Sequence, residues 1–169
     1  MLFTFVLIPM QAQNYYQFDE EGFDKYVRAS KKPYKILYIF CTYCNPPQYN
    51  MSIDSLVIQH KSDSIEFIPF TCQFKEEGLP YIVKHGIQSH IYFVEPIKRK
   101  RKRFGFIVIE NPVNDASKIL ERFDSVHTNT GAGGYIILDA ENRPIMWSDY
   151  KTQKDGQSFL ELKEFIRRH

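Results

Sequence analysis

The sequence lacks any apolar run of the roughly 18 residues that a membrane-spanning helix needs, which excludes an integral membrane protein built on such helices. It has only three cysteines in 169 residues, too few for a disulfide-framework fold. It lacks charge of one sign: 22 basic against 20 acidic residues leave a net +2, so global charge names no partner. Its five histidines, His60, His85, His90, His127 and His169, show no HxxH or HExxH spacing, so no metal site is expected. No GK[ST] follows the glycines at 131–134, which argues against a phosphate cradle. No other motif calls for a cofactor. What is present is ordinary globular composition, 43% hydrophobic and 25% charged, with 14 Phe and 11 Tyr to fill a core. The length suits one domain.

Two segments stand apart. Leu2 to Met10 (LFTFVLIPM) is a short apolar run that gives way to Gln11-Ala12-Gln13. The apolar middle and the small Ala12 fit a secretory signal, and Pro9 argues against a central strand. Residues 1–13 are therefore expected to be a signal peptide, 14–169 the single mature domain, and the location exported, periplasmic in a bacterial cell. Lys98 to Arg103 are six consecutive basic residues, without which 16 bases would face 20 acids. Export would exclude a nuclear role for them. The run reads as a solvated loop or hairpin tip, and no nucleic-acid partner is expected.

Elsewhere strands and helices alternate. Helices are expected over Asp19–Ser30, from an Asn45 cap and Pro46 through about His60, over Phe74–His85 with Gly86 as the stop, over Asp115–Asp124, and over Phe159–Arg168. Strands are expected at Lys35–Phe40 (KILYIF), Ile65–Phe70 (IEFIPF), Ile91–Val94, Phe104–Ile109, Tyr135–Asp139 (YIILD) and Pro144–Trp147, the last two forming a hairpin. A strand–helix–strand unit followed by a hairpin predicts a mixed sheet.

Cys41-Thr42-Tyr43-Cys44 follows the first long apolar strand and precedes a helix. A CxxC in that setting reads as a redox motif. At this point the chain resembles the thioredoxin-like superfamily, and within it the exported TlpA/ResA-like thiol–disulfide oxidoreductases, from about Tyr34 to the C-terminus. Residues 88–110 match poorly and read as an insertion. The resemblance implies a three-layer α/β fold, a central mixed sheet of four or five strands with helices on both faces.

It also offers a second register. The active-site stretch F-W-A-S-W-C-x-P-C of that group lies on Ile39-Phe40-Cys41-Thr42-Tyr43-Cys44-Asn45-Pro46-Pro47. Cys44 then matches the attacking cysteine and Pro46 the motif proline, while Pro47 replaces the resolving cysteine. A thiol at a helix N-terminus meets unpaired N–H groups and the positive end of the dipole, which favour thiolate. Cys44 is thus expected to attack, with Cys41, Cys72 or an external thiol resolving. The plain CxxC register, with Cys41 attacking, stays open. Cys72 also reads as a small buried residue. A peroxidase would want threonine where Cys41 stands. The group's cis-proline, which faces the attacking cysteine and docks substrate, corresponds to Gly133, where a trans bond is expected. Substrate contacts are expected from Tyr43, Pro46, Gly133 and Gly134, with protein thiols or disulfides as partners. The competing reading is a binding or structural domain that has lost turnover.

Overall fold

The computed structural model describes residues 15–43, 47–95, 101–103, 106–108, 112–125, 130–148 and 157–169. The expected signal segment lies outside them. The elements are β1 (Tyr15–Phe18), α1 (Glu20–Ala29), β2 (Tyr34–Ile39), α2 (Pro47–Gln59), β3 (Ile65–Thr71), α3 (Lys75–His85), β4 (Ile91–Val94), β5 (Arg101–Arg103), β6 (Phe106–Val108), α4 (Pro112–Glu121), β7 (Tyr135–Leu138), β8 (Pro144–Trp147) and α5 (Gln157–Arg168).

Six strands form one sheet in the order β1-β4-β3-β2-β7-β8, while β5 and β6 pair apart from it. Parallel ladders join β1 to β4, β4 to β3 and β3 to β2. The ladders of β7 with β2 and with β8 are antiparallel. The three apolar runs therefore lie side by side in the middle, where strands buried on both faces belong. Pro69 has no N–H to give, and the β3–β4 ladder starts one residue later, at Phe70 opposite Tyr92.

The sheet has six strands rather than four or five. The added strand is β1, a four-residue edge segment whose central residues are exposed. Part of the basic run also differs from expectation: Arg101–Arg103 is itself a strand, paired with Phe106–Val108.

Alternation of side chains sends the two faces of β2 into different cores. Leu37 and Ile39 pack with Phe70, with Phe23 and Val27 of α1, and with Ile119 and Leu120 of α4. Ile36, Tyr38 and Phe40 pack with Ile53 and Leu56 of α2 and with Leu162 and Ile166 of α5, and α3 adds Leu79 and Ile82. Helices thus cover both faces. The unit β3-β2-β7-β8, with α2 crossing between its parallel pair and α5 after its hairpin, gives the chain a thioredoxin-like α/β fold.

Local chemistry fixes the helix ends. Asp19 caps α1 by accepting from the Gly22 N–H at 2.7 Å. Gly86 closes α3 at φ 63°, a left-handed conformation that glycine adopts without a Cβ penalty. Helix α2 is described from Pro47, and the expected cap Asn45 and first residue Pro46 lie outside the described residues. Asp54, buried on α2, accepts from the N–H groups of Gln88 (3.1 Å) and Ser89 (2.7 Å), which ties this helix to the loop before β4.

Gly78 supplies a test of this packing. Glycine inside a helix ordinarily costs about 0.5–1 kcal/mol relative to alanine. Here a Cβ would sit 2.7 Å from Cε1 of Phe93, a ring that is itself fully buried. Gly78→Ala should therefore destabilise the protein by about 1–3 kcal/mol in urea unfolding. A gain in stability would show that α3 does not press on β4.

Candidate functional site

The parallel strands β2 and β3 end on the same edge of the sheet, and the chain leaves both ends with a cysteine. Cys41 follows Phe40, and Cys72 follows Thr71. The β2–β3 register runs to Ile39 opposite Phe70, and the Phe40 N–H continues the ladder by donating to the Phe70 carbonyl at 2.7 Å. Two further steps along each strand from Ile39 and Phe70 reach Cys41 and Cys72. Both are buried thiols, 1% and 2% exposed.

Just past the cysteines, Gln73 locks the two strand ends together. Its Oε1 accepts from the Thr42 backbone N–H at 3.0 Å and from the Thr42 hydroxyl at 3.1 Å, while its Nε2 donates back to Thr42 Oγ1 at 2.8 Å. The Gln73 N–H in turn donates to the Thr71 hydroxyl at 3.2 Å. Gln73 is buried, so these bonds also satisfy an amide that would be costly to leave unpaired.

Tyr43 is 67% exposed and donates to Glu77 Oε2 at 2.8 Å. That bond to a carboxylate holds the phenol pKa above its ordinary value. Tyr43 thus spans from the β2 exit to the first turn of α3.

On the other side of β2 lies the glycine loop. The Gly133 N–H donates to the Ile39 carbonyl at 3.0 Å, and the Ile39 N–H donates to the Gly134 carbonyl at 2.8 Å. Gly133 has φ 78° and all described peptide bonds are trans, as the absence of proline leads one to expect. The loop is an extension of the β2–β7 pairing that brings backbone next to the β2 exit. Gly133→Pro would not recreate a docking proline. It removes the N–H bonded to Ile39 and cannot reach a positive φ, so a loss of about 3 kcal/mol or more is expected in thermal or urea unfolding. An unchanged midpoint would mean that the loop is not held as described.

Of the residues expected to form the site, Cys41, Tyr43, Cys72, Gly133 and Gly134 come to this one edge. Cys44 and Pro46 lie outside the described residues, in the segment 44–46 between the Tyr43 turn and the start of α2. Sequence reasoning missed Thr42, Gln73 and Glu77. A signal was present: Cys-Thr at 41–42 and Cys-Gln at 72–73 each follow an apolar strand. The pairing of the polar partners needs the register to be seen.

No family model matches the chain, and no curated protein matches it. Among solved structures it is similar to a candidate thiol-disulfide oxidoreductase from Bacteroides vulgatus, at 17% identity over 80% of this chain and 79% of that one, TM-score 0.46. It is also similar to the mitochondrial 2-cys peroxiredoxin from Plasmodium falciparum, at 14% identity over 89% and 84%, TM-score 0.49. No helix among the described residues is long and apolar enough to cross a membrane.

Proposed function

We propose that this chain is a thiol–disulfide oxidoreductase of an exported compartment, with Cys44 as its attacking thiolate. One observation carries the reading. The chain segment that holds Cys44 runs from a buried strand exit, where Cys41 and Cys72 follow the paired strands β2 and β3, to the N-terminus of α2 at Pro47. Thiolate is favoured near such a helix end.

The chemistry balances as follows. The Cys44 thiolate attacks one sulfur of a substrate disulfide, forming a mixed disulfide and expelling the other sulfur as thiolate, which takes up a proton. A second thiolate, from Cys41, Cys72 or an external thiol, then attacks Cys44 Sγ and releases the substrate as its second thiol. Two electrons pass to the substrate from Cys44 and the second thiol, which end joined in a disulfide.

The alternative, a thioredoxin-like binding domain without turnover, draws on one observation. Pro47, standing at the first residue of α2 where the related group places its resolving cysteine, forms no disulfide.

The test is insulin reduction by the purified chain and its three Cys→Ser variants. Cys44→Ser should abolish the activity, and Cys41→Ser or Cys72→Ser should slow it. Loss with Cys41→Ser alone would move the nucleophile to Cys41, and an inactive wild type would favour the binding domain.

A further inference from the structure

We infer that Cys41 and Cys72 form a second redox site, a cross-strand dithiol that closes to a disulfide by exchange with a small-molecule disulfide. This goes beyond the proposed activity and does not depend on Cys44 being a nucleophile.

In the β2–β3 ladder Ile39 stands opposite Phe70, and the Phe40 N–H to Phe70 carbonyl bond carries the ladder one step on. Thr42 and Gln73, one residue beyond the cysteines, are held to each other by three hydrogen bonds of 2.8–3.1 Å. The Ile39–Phe70 pair before the cysteines and the Thr42–Gln73 bonds after them share the 31-residue offset that also separates Cys41 from Cys72. Paired strands lie about 4.8 Å apart, inside the roughly 4.4–6.8 Å between Cα atoms that a disulfide spans.

Side-chain alternation, carried two residues past Ile39 and Phe70, would send both toward one face. Leu37 and Ile39 of β2 and Ile68, Phe70 and Cys72 of β3 all enter the core that contains α1 and α4. Cys41, two residues on from Ile39 and just past the end of β2, is buried as well. A disulfide also wants Cβ atoms near 3.8 Å, closer than parallel neighbours usually come, so the bond would be reducible rather than permanent. Both cysteines lie just past the last regular strand residues, where the chain has room to adjust.

The exchange balances. One thiolate attacks the small disulfide, forming a mixed disulfide and releasing one thiol. The second protein thiolate attacks the protein sulfur of that mixed disulfide and releases the other thiol. The two protein thiols lose two electrons and two protons, and the small disulfide gains them. Tyr43 and Phe74, each two residues beyond one of the cysteines, are exposed, and Tyr43 is hydrogen-bonded to Glu77. The bridge would fasten the exits of β2 and β3 where the Thr42–Gln73 bonds otherwise hold them.

The test uses the full chain carrying Cys44→Ser, which leaves Cys41 and Cys72 as the only thiols. After equilibration with oxidised glutathione, thiols are titrated in denaturant and the tryptic peptides are mapped. The count should fall from two to none per chain, with the peptide ending at Lys61 joined to the one ending at Lys75, and dithiothreitol should restore both. Two persisting thiols, or glutathione on each cysteine without a cross-link, would overturn the inference. Wild type is mapped in parallel. The same linkage there supports the pair even if the variant fails to fold, and its absence from both overturns it. Because insulin reduction by wild type is scored separately, failure of the pair and failure of the Cys44 reading are distinguishable.

Discussion

Truncating Phe23 to alanine should cost about 3–5 kcal/mol, which for a domain of this size lowers the melting temperature by about 6–20 °C. Phe23 is fully buried on α1, and its ring centroid lies 5.1 Å from that of Phe70, 6.2 Å from Phe18 and 6.4 Å from Tyr92. Only Phe23 and Val27 of α1 are buried, so this ring carries much of the docking of that helix on the sheet. Stability of natural domains is about 5–15 kcal/mol, so the loss would take a large share of it. The consequence reaches the candidate site, because Phe23 packs on Phe70, two residues before Cys72. A loss below about 1 kcal/mol in urea unfolding would show that α1 does not rest on this sheet.

The second large effect is a gain. Pro47→Cys gives Cys44-Asn45-Pro46 a thiol three residues on, at the first residue of α2. Where an external thiol resolves the mixed disulfide, an intramolecular thiol placed beside it replaces a bimolecular step, so insulin reduction should then rise about tenfold or more. The variant gives up a proline preorganised for the first helical position, a small cost to α2. If both wild type and Pro47→Cys are inactive while the circular dichroism spectrum is unchanged, the binding-domain reading gains over the oxidoreductase.

The sequence was readable where physical pattern is local. KILYIF, IEFIPF and YIILD, continuous apolar runs of strand length, became the buried strands β2, β3 and β7, which lie side by side in the sheet. Gly86 stopped α3 as expected, because a positive φ at a helix end favours glycine. Helix α4 was displaced from Asp115–Asp124 to Pro112–Glu121, since Pro112 is a good first helical residue, while Phe123 stays buried in the turn that follows.

Strand β1 was not legible. Tyr15-Tyr16-Gln17-Phe18 is short and half exposed, and its ladder partner β4 stands more than seventy residues away. The same non-locality hid the Thr42–Gln73 clamp. Whether Cys72 faces Cys41 or lies a step out of line depends on the β2–β3 register, which single strands do not encode. The mixed sheet and the CxxC setting were local facts. The geometry around the thiols was not.

The central claim, that Cys44 is the attacking thiol, is tested most directly by trapping. The native reduced chain is mixed briefly with a labelled small disulfide in substoichiometric amount, quenched in acid, and mapped by mass spectrometry. The account predicts that the first label appears on Cys44, as a mixed disulfide, ahead of any on Cys41 or Cys72. First labelling of Cys41 or Cys72, or no labelling of the native chain where the unfolded chain reacts, would contradict it.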